Sequence, residues 1–356
     1  MNAVDEKYMR LALALAKKGI GKVEPNPAVG CVIVKDGKII AKGFHKEFGD
    51  PHAEINALKN SKQSPVGSTM YITLEPCCHF GKTPPCTNAI IKAGIKKVIA
   101  AAKDPTEKVS GKGFKILKKA GIEVITGICK NEAEILNAPF FHFARTKRPW
   151  VIIKWAQSAD GFLARTDKKR WITNPKSRKD VHKLRKKIQA ILIGINTVLA
   201  DDPMLTARPD TNRQLLRIVL DSQLKIPADC KLFKTTKKTP VCIFTTTAKP
   251  KITQKGVEIV KVGKYKGRIN LKAALAELGK RNIQQILVEG GEKVITSFLK
   301  QKLADEVIIY TSAEKLAKKG KIKSSQIMRN LYNRLKKNYK DKKRFGKDIR
   351  LTAFFK

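Results

Sequence analysis

Three residues of the types that hold zinc lie in the first quarter of the chain, namely His52, Cys77 and Cys86. The segment His52-Ala-Glu54 also places a carboxylate, Glu54, two positions after the histidine. A catalytic zinc site needs three protein ligands, an open position for water, and a nearby carboxylate that moves protons without binding the metal. The sequence therefore predicts a hydrolytic zinc site with His52, Cys77 and Cys86 as ligands and Glu54 as the proton-transfer group.

Simpler interpretations exist for several of these residues. A lone histidine at a helix start is more often a structural residue, but two thiols nearby favour a metal. Each thiol follows a proline near a predicted helix start, where backbone N–H groups stabilise an anionic sulfur. Cys78 is a rival ligand, yet adjacent side chains rarely point at one metal, so we expect it only to pack. Glu75 is expected to make structural hydrogen bonds, and Asp104 is either a turn residue or a substrate contact.

The gap between the two cysteine ligands narrows the class of deaminase. Cys77 and Cys86 have eight residues between them. Zinc deaminases that act on nucleobases in nucleic acids carry two cysteines separated by two residues. The wide gap therefore speaks against a tRNA or other nucleic-acid deaminase, which we retain as the alternative function.

Composition sets the range of partners. The 356 residues are enough for two domains, and the formal net charge of +44 favours anionic ligands. Because the cations are mostly lysines spread over every predicted helix, with little aromatic interleaving, we favour phosphorylated small molecules over nucleic acid. Seven cysteines, an odd number in a long chain, indicate a reducing compartment, with the cytoplasm as the default.

No membrane or secretion segment is predicted. The apolar stretches are far shorter than the roughly 20 residues that span a bilayer. The Leu11–Ala16 run follows acidic residues and lacks a convincing cleavage site, so it is interpreted as the buried face of a first helix.

The predicted elements place the zinc ligands at the ends of strands and helices. His52 and Glu54 lie at the start of a helix over 53–59, Cys77 follows a strand over 70–74, and Cys86 begins a helix that runs to residue 93. A basic, polar seam near 144–149 divides the chain into predicted domains 1–146 and 147–356. Both halves alternate strands and helices, which predicts an α/β class for each.

Further motifs resemble a known family. They are Asn26-Pro27, His52-Ala-Glu54, Glu75-Pro-Cys77 and Gly81-Lys-Thr-Pro-Pro-Cys86 in the first half, and Trp171-Ile-Thr173, Thr197-Val-Leu-Ala-Asp-Asp-Pro203 and Val288-Glu-Gly-Gly291 in the second. Together, in this order over about residues 5 to 310, they are similar to the bacterial bifunctional riboflavin-biosynthesis deaminase/reductase family. The resemblance implies a cytidine-deaminase-like α/β/α domain followed by a dihydrofolate-reductase-like α/β domain.

The resemblance also implies two reactions and their cofactors. A Zn²⁺-dependent domain would deaminate 2,5-diamino-6-(5-phosphoribosylamino)pyrimidin-4-one, and a second domain would use NADPH to reduce the ribosyl group of the product to ribityl. It implies a homo-oligomer as well. A zinc-stabilised structural protein without reductase activity is the third hypothesis.

The family pattern assigns further site residues. In the deaminase, the substrate contacts would be Asn26, His45 and Lys82. In the reductase, the cofactor contacts would be Ala156, Trp171, Thr197, Asp201, Ser222 and the loop Gly291, Glu292, Lys293, Val294, Ile295, Thr296 and Ser297. The substrate contacts there would be Lys169, Arg185, Leu205, Arg208 and Glu289, with Lys154 as a candidate helper in hydride transfer.

Two segments depart from the family pattern. Lys168-Lys169-Arg170 stands where relatives tend to carry Gly and Ser before the tryptophan, and Ser312-Ala-Glu-Lys315 replaces an Ala-Pro-Lys pattern. The tail from residue 315 is rich in Lys and Arg, and its end, 348–355, has the apolar content of a final strand.

Overall fold

The computed structural model describes residues 3–81, 84–208, 215–247 and 254–355. It divides into two compact units, Met1–Lys147 and Arg148–Lys356, which are described separately. Among the described residues, no helix is both long enough and apolar enough to cross a bilayer.

The N-terminal unit is a five-stranded sheet between helices. Its elements are α1 (Ala3–Ala16), β1 (Gly30–Lys35), β2 (Lys38–Phe44), α2 (Ala53–Lys59), β3 (Thr69–Ile72), α3 (Cys86–Lys92), β4 (Lys97–Ala100), α4 (Lys112–Lys119), β5 (Glu123–Thr126), α5 (Lys130–Leu136) and α6 (Ala138–Thr146). The strand order is β2-β1-β3-β4-β5. Strand β1 is antiparallel to β2 and β3, while β3, β4 and β5 are parallel.

Each face of this sheet has its own core because side chains alternate along a strand. In β1, Val32 and Val34 face helices α1, α5 and α6, whereas Cys31 and Ile33 face helices α2, α3 and α4. The result is a three-layer α/β/α unit.

Two glycines allow the close approaches that position the zinc ligands. A Cβ at Gly43 in β2 would collide with the backbone of Ala53 and Ala57, so α2 lies directly against the strand. A Cβ at Gly113 in α4 would collide with the Pro76 carbonyl oxygen, which precedes Cys77. Both contacts fix chain segments that carry the candidate zinc site.

The C-terminal unit is built on a nine-stranded sheet. Its elements are β6 (Trp150–Gln157), β7 (Phe162–Arg165), α7 (Pro175–Arg185), β8 (Ala190–Gly194), α8 (Ile195–Asp201), β9 (Leu216–Leu220), α9 (Lys231–Lys234), β10 (Val241–Thr245), β11 (Val257–Lys261), β12 (Lys264–Tyr265), β13 (Arg268–Ile269), α10 (Leu271–Lys280), β14 (Gln285–Val288), α11 (Glu292–Lys300), β15 (Glu306–Thr311), a 3₁₀ turn (Ala317–Lys319), β16 (Gly320–Lys323), α12 (Gln326–Lys337), β17 (Asp341–Phe345) and β18 (Asp348–Phe354). The strand order is β11-β10-β9-β8-β14-β6-β15-β18-β17, and β7 pairs separately with β16.

Most of this large sheet is parallel. Neighbouring strands from β11 to β15 in the spatial order just given pair in parallel. The hairpin β17–β18 adds two antiparallel strands next to β15. Helices α10, α11 and α12 cover one face, and α7, α8 and α9 cover the other. Burial on both faces explains the near-continuous apolar run Ala190–Gly194, which is typical of a central parallel strand.

The predicted helix 53–59 has the expected bounds. The tail differs from its prediction, because helix α12 and strand β17 precede the expected final strand. In α12, the buried residues Met328, Leu331 and Leu335 recur at helical spacing. The Arg, Lys and Asn residues between them make this apolar pattern hard to recognise in the sequence.

Candidate active sites

The N-terminal unit brings His52, Cys77 and Cys86 together. The ligand atoms of the three residues all lie within 4.8 Å of one another. His52 Nδ1 is 3.3 Å from Cys86 Sγ and 3.5 Å from Cys77 Sγ. One imidazole and two thiols at this separation fit a tetrahedral zinc ion with one position left for water.

Helix geometry explains why the thiols are suited to bind a cation. Cys86 is the first residue of α3, and its backbone N–H donates to Cys77 Sγ over 3.3 Å. Hydrogen bonding from the Cys86 thiol, and then from His52, lowers the pKa of the Cys77 thiol to about 4. The lowered pKa favours the thiolate form of Cys77, which is the form that binds metals. The pKa of the Cys86 thiol is raised, chiefly by its hydrogen bond to Cys77.

Glu54 lies in the first turn of α2 and is 3% exposed. Burial, followed by the nearby Cys77 sulfur, raises the pKa of Glu54 to about 7. A carboxyl group with a pKa near the ambient pH both accepts and donates protons readily, which is the property required of a general acid–base group.

A cavity of about 330 Å³ opens onto this cluster. Asn26 and His45 line it together with His52, Glu54 and Cys77. The His45 Nδ1 atom lies 3.2 Å from the Pro51 carbonyl oxygen, and its Nε2 lies 3.2 Å from Asn26 Nδ2. Burial lowers the pKa of His45, which favours the neutral ring with a proton on Nδ1 and an acceptor at Nε2.

The structure resolves the interpretations of the neighbouring residues. Glu75 accepts backbone hydrogen bonds from Asp104, Gly111 and Phe114, as expected for a structural role. Asp104 accepts from the Thr106 backbone N–H at 2.7 Å and also lines the cavity, so it both forms a turn and faces the cavity. Cys78 lies outside the three-residue ligand cluster. Lys82 lies outside the described residues.

Sequence reasoning missed several cavity residues. His79, Lys108, Phe48 and Phe140 also line the cavity. His79 could have been noticed, because it follows the Cys77-Cys78 pair directly. Lys108 and the two phenylalanines carried no local signal.

In the C-terminal unit, Glu289 is held by two cations. Arg185 contacts it through two nitrogens at 2.9 and 3.1 Å, and Lys154 Nζ lies 3.3 Å away. Burial alone would raise the pKa of Glu289, but the charges of Arg185 and Lys154 outweigh that effect and hold it at about 2. The arginine side chain is only 15% exposed, so it is largely shielded from solvent.

The predicted cofactor loop begins where β14 ends. Gly291 is the N-cap residue of α11, and no side chain accepts a capping hydrogen bond there. The first N–H groups of the helix are therefore available to an anion. A Cβ at Gly290 would meet Val294, and a Cβ at Gly291 would lie 3.7 Å from the Thr197 hydroxyl oxygen. The structure thus brings Thr197 and the loop together.

The other predicted loop residues are engaged within the unit. The Thr296 hydroxyl contacts Glu292 at 2.9 Å, and the Ser297 hydroxyl donates to the Lys293 carbonyl oxygen at 2.8 Å. Ile295 is buried in the core, so only its backbone can face a cofactor.

Trp171 and Lys169 line a second cavity, of about 870 Å³. Trp171 is 54% exposed, and two guanidinium groups lie near its ring, those of Arg170 and Arg178, at 5.1 and 4.9 Å from the ring centroid. Arg170 also donates to the carbonyl oxygen of Asp201.

The remaining predicted contacts lie at the ends of strands and in turns. Ala156 pairs with Tyr310 in the sheet. Leu205 is buried with φ of 54°, and Arg208 lies 3.9 Å from the Met204 sulfur. The Ser222 carbonyl oxygen accepts from the hydroxyls of Thr245, Thr246 and Thr247.

Comparisons with known proteins agree with both sites. The "Cytidine and deoxycytidylate deaminase zinc-binding region" matches residues 2–102, and the "RibD C-terminal domain" matches residues 149–338. The riboflavin biosynthesis protein RibD of Aquifex aeolicus is 43% identical over 99% of this chain and 98% of its own length. The chain belongs to the RibD family.

Solved structures support the same assignment. Acinetobacter baumannii RibD, form 1, has a TM-score of 0.86 at 35% identity and covers 99% of this chain and 98% of its own. The diaminohydroxyphosphoribosylaminopyrimidine deaminase/5-amino-6-(5-phosphoribosylamino)uracil reductase of Thermotoga maritima has a TM-score of 0.85 at 36% identity, with 98% of each chain covered.

These matches confirm the predicted fold classes, a deaminase-like unit followed by a dihydrofolate-reductase-like unit. They also confirm a bifunctional deaminase and reductase of riboflavin biosynthesis. Because relatives with this function align over nearly the whole chain, the nucleic-acid deaminase alternative is not favoured.

Proposed function

We propose that the N-terminal unit deaminates 2,5-diamino-6-(5-phosphoribosylamino)pyrimidin-4-one and that the C-terminal unit reduces the resulting 5-amino-6-(5-phosphoribosylamino)uracil with NADPH. The observation that carries this proposal is the cluster of His52, Cys77 and Cys86 beside buried Glu54 at a cavity. The Thermotoga maritima relative is named for these two activities.

For deamination, His52, Cys77 and Cys86 would hold Zn²⁺. When bound, the ion supplies Lewis acidity that makes water a nucleophile at neutral pH. Water adds to the ring carbon that bears the amino group, and Glu54 accepts its proton. Glu54 passes this proton to the ring nitrogen, then takes the second proton from the newly added hydroxyl group and gives it to the amine, which leaves as ammonia as the carbonyl group forms. The raised pKa of Glu54 suits both transfers.

Asn26 and His45 would orient the pyrimidine. An amide offers both a donor and an acceptor, and the hydrogen bond between Asn26 and His45 keeps the two side chains together. The cavity of about 330 Å³ has the size expected for a small-molecule site. We retain Lys82 as a proposed phosphate contact from the family pattern.

For reduction, NADPH supplies the hydride, and the chain binds and orients both reactants. The free N–H groups at the start of α11, after Gly291, would bind a cofactor phosphate, and Thr197 lies beside them. Trp171, whose side chain is largely exposed, would contact the cofactor. Arg185 and Arg208 would bind the substrate phosphate, because a guanidinium fork matches phosphate oxygens.

One coupled assay tests the pair of reactions. Purified protein is given the diamino substrate and NADPH, and oxidation is followed at the nicotinamide absorbance. We expect oxidation that a zinc chelator abolishes with the diamino substrate and leaves intact with the deaminated substrate. Oxidation that is equally chelator-sensitive with both substrates would contradict the division of labour between the units.

We also retain the prediction of a cytoplasmic homo-oligomer as a proposal. Its support is the family membership alone. Light scattering behind size-exclusion chromatography gives the mass in solution, and a value of about 39.7 kDa would contradict it.

A further inference from the structure

Tyr310 carries a buried hydroxyl group that the proposed reaction does not use. It lies in β15, is 1% exposed, and donates a 2.6 Å hydrogen bond to Asp180 Oδ2 on helix α7. Helix α7 also carries Arg185, the proposed substrate contact, five residues further along. The hydrogen bond therefore ties the sheet to the helix that presents Arg185.

The same carboxylate oxygen accepts a second hydrogen bond from the C-terminal hairpin. Arg350 in β18 lies directly opposite Tyr310 in the sheet and donates to Asp180 Oδ2 over 2.7 Å. Its other terminal nitrogen donates to Asp341 of β17 over 2.9 Å. The side chains of Arg350 and Asp180 are only 11% and 16% exposed, so the charges of this pair interact with little screening by water.

Tyr310 also borders the reductase site directly. Its ring packs against Lys154, whose Nζ lies 5.8 Å from the ring centroid and 3.3 Å from Glu289. Lys154, Ala156 and Tyr310 face the same side of neighbouring strands, because Ala156 pairs with Tyr310 and side chains two residues apart share a face. The orientation of the Tyr310 ring thus sets one wall beside Lys154.

We infer that Tyr310, Asp180 and Arg350 are positioning residues by which the C-terminal hairpin holds Lys154 and Arg185 in register for the phosphorylated substrate of the reductase. This inference rests on the proposed function. Asp341 and Arg350 lie beyond residue 338, where the match to the family's C-terminal domain ends. The basic tail thereby acquires a specific role in the second reaction.

Graded substitutions test the inference in the full-length protein. Tyr310→Phe removes only the hydroxyl, Asp180→Asn keeps an oxygen acceptor, and Asp180→Ala removes it. Arg350→Met removes the guanidinium, and Arg350→Lys keeps the charge. The measurements are kcat and the two KM values for NADPH oxidation with the deaminated substrate, together with thermal unfolding followed by tryptophan fluorescence.

We expect Arg350→Met and Asp180→Ala to raise KM for the phosphorylated substrate about tenfold while KM for NADPH changes less than about twofold. Asp180→Asn and Arg350→Lys should each recover part of that loss. Tyr310→Phe, the variant that disturbs packing least, should raise the substrate KM a few-fold.

The matched control is Arg281→Met, which removes a guanidinium bound by Glu258 of β11, the edge strand opposite β17 in the large sheet. It should leave both KM values unchanged. Unchanged kinetics in Tyr310→Phe, Asp180→Asn and Asp180→Ala would overturn the inference. A parallel rise of both KM values together with a lower melting temperature would overturn it too. Wild-type protein that fails to oxidise NADPH with this substrate would overturn the proposed function itself.

Discussion

Glu54 and Glu289 are both buried carboxyl groups, one in each unit, and their surroundings shift their pKa values in opposite directions. Burial beside the Cys77 sulfur raises the pKa of Glu54 to about 7. Burial opposes ionisation of Glu289 too, but Arg185 and Lys154 lower its pKa to about 2. Neighbouring charge, rather than burial alone, decides which form each carboxyl group takes.

The difference matches the chemistry proposed for each unit. A group that gains and loses protons near neutral pH suits hydrolytic deamination, in which protons move from water to ammonia. A permanently ionised Glu289 instead anchors two cations where a phosphorylated substrate must be oriented for hydride transfer. Glu54 is thus suited to proton transfer, and Glu289 is suited to holding the two cations in position.

The metal ligands provide the largest expected effect. Cys77→Ser removes one soft ligand from a three-ligand site, so we expect bound zinc to fall well below one ion per chain and deamination to fall below detection. Cys78→Ser is the matched control, because the adjacent thiol lies outside the ligand cluster. Metal analysis of both proteins is the measurement, and equal zinc loss in the two would contradict the ligand assignment.

Loss of the proton-transfer group comes next. Glu54→Gln keeps the size of the side chain and removes its acid–base function, so we expect deamination to slow by about 10³-fold. The zinc content should stay near that of the wild type. Reduction of the deaminated substrate by the same protein is the internal control. A parallel fall in both activities would show that Glu54 supports the fold rather than the reaction.

A smaller loss is expected from the positional network of the reductase. Arg185→Met removes a charged partner from buried Glu289 and a proposed phosphate contact, so kcat/KM for reduction should fall about 10²-fold. Lys183→Met is the control, because it removes the same charge from an exposed position on the same helix. If both variants lose activity equally, the effect comes from the net charge of the helix and not from the Glu289 contact.

The two sites also differ in how far the sequence alone could predict them. His52, Cys77 and Cys86 are all within 35 positions of one another and lie at helix starts or strand ends, so residue type and spacing were enough to predict a cluster. Lys154 and Glu289 are 135 positions apart and meet only because β14 pairs with β6. Without the family resemblance, Arg185 was equally compatible with a solvated helix charge.

The C-terminal tail also contains a contact that the sequence alone could not predict. Arg350 lies in a segment rich in Lys and Arg, and its composition gave no reason to single out one cation. Its partner Asp180 lies 170 positions earlier and is brought close by packing of α7 on the sheet. Contacts of this kind follow from tertiary structure, whereas the amphipathic pattern predicts only that a helix is present.

The smallest effect we predict is a pH dependence of stability that belongs to the C-terminal unit. The folded pKa of Glu289, about 2, lies below its ordinary value of 4.5. Its ionised form therefore stabilises the fold fully above about pH 4.5, and this contribution is lost as the pH falls toward 2. Between pH 6 and pH 3 the expected loss is roughly 2 kcal/mol.

The three tryptophans make this measurement specific, because Trp150, Trp155 and Trp171 all belong to the C-terminal unit. Denaturant unfolding followed by tryptophan fluorescence gives its free energy of unfolding at each pH. Other carboxylates titrate in the same range, so the informative quantity is the difference between the wild type and Glu289→Gln. That difference should shrink as the pH falls from 6 to 3, because below about pH 4.5 the wild-type side chain becomes protonated in the unfolded chain while it stays ionised in the folded protein. A difference that stays constant over this range would mean that Arg185 and Lys154 do not hold Glu289 ionised.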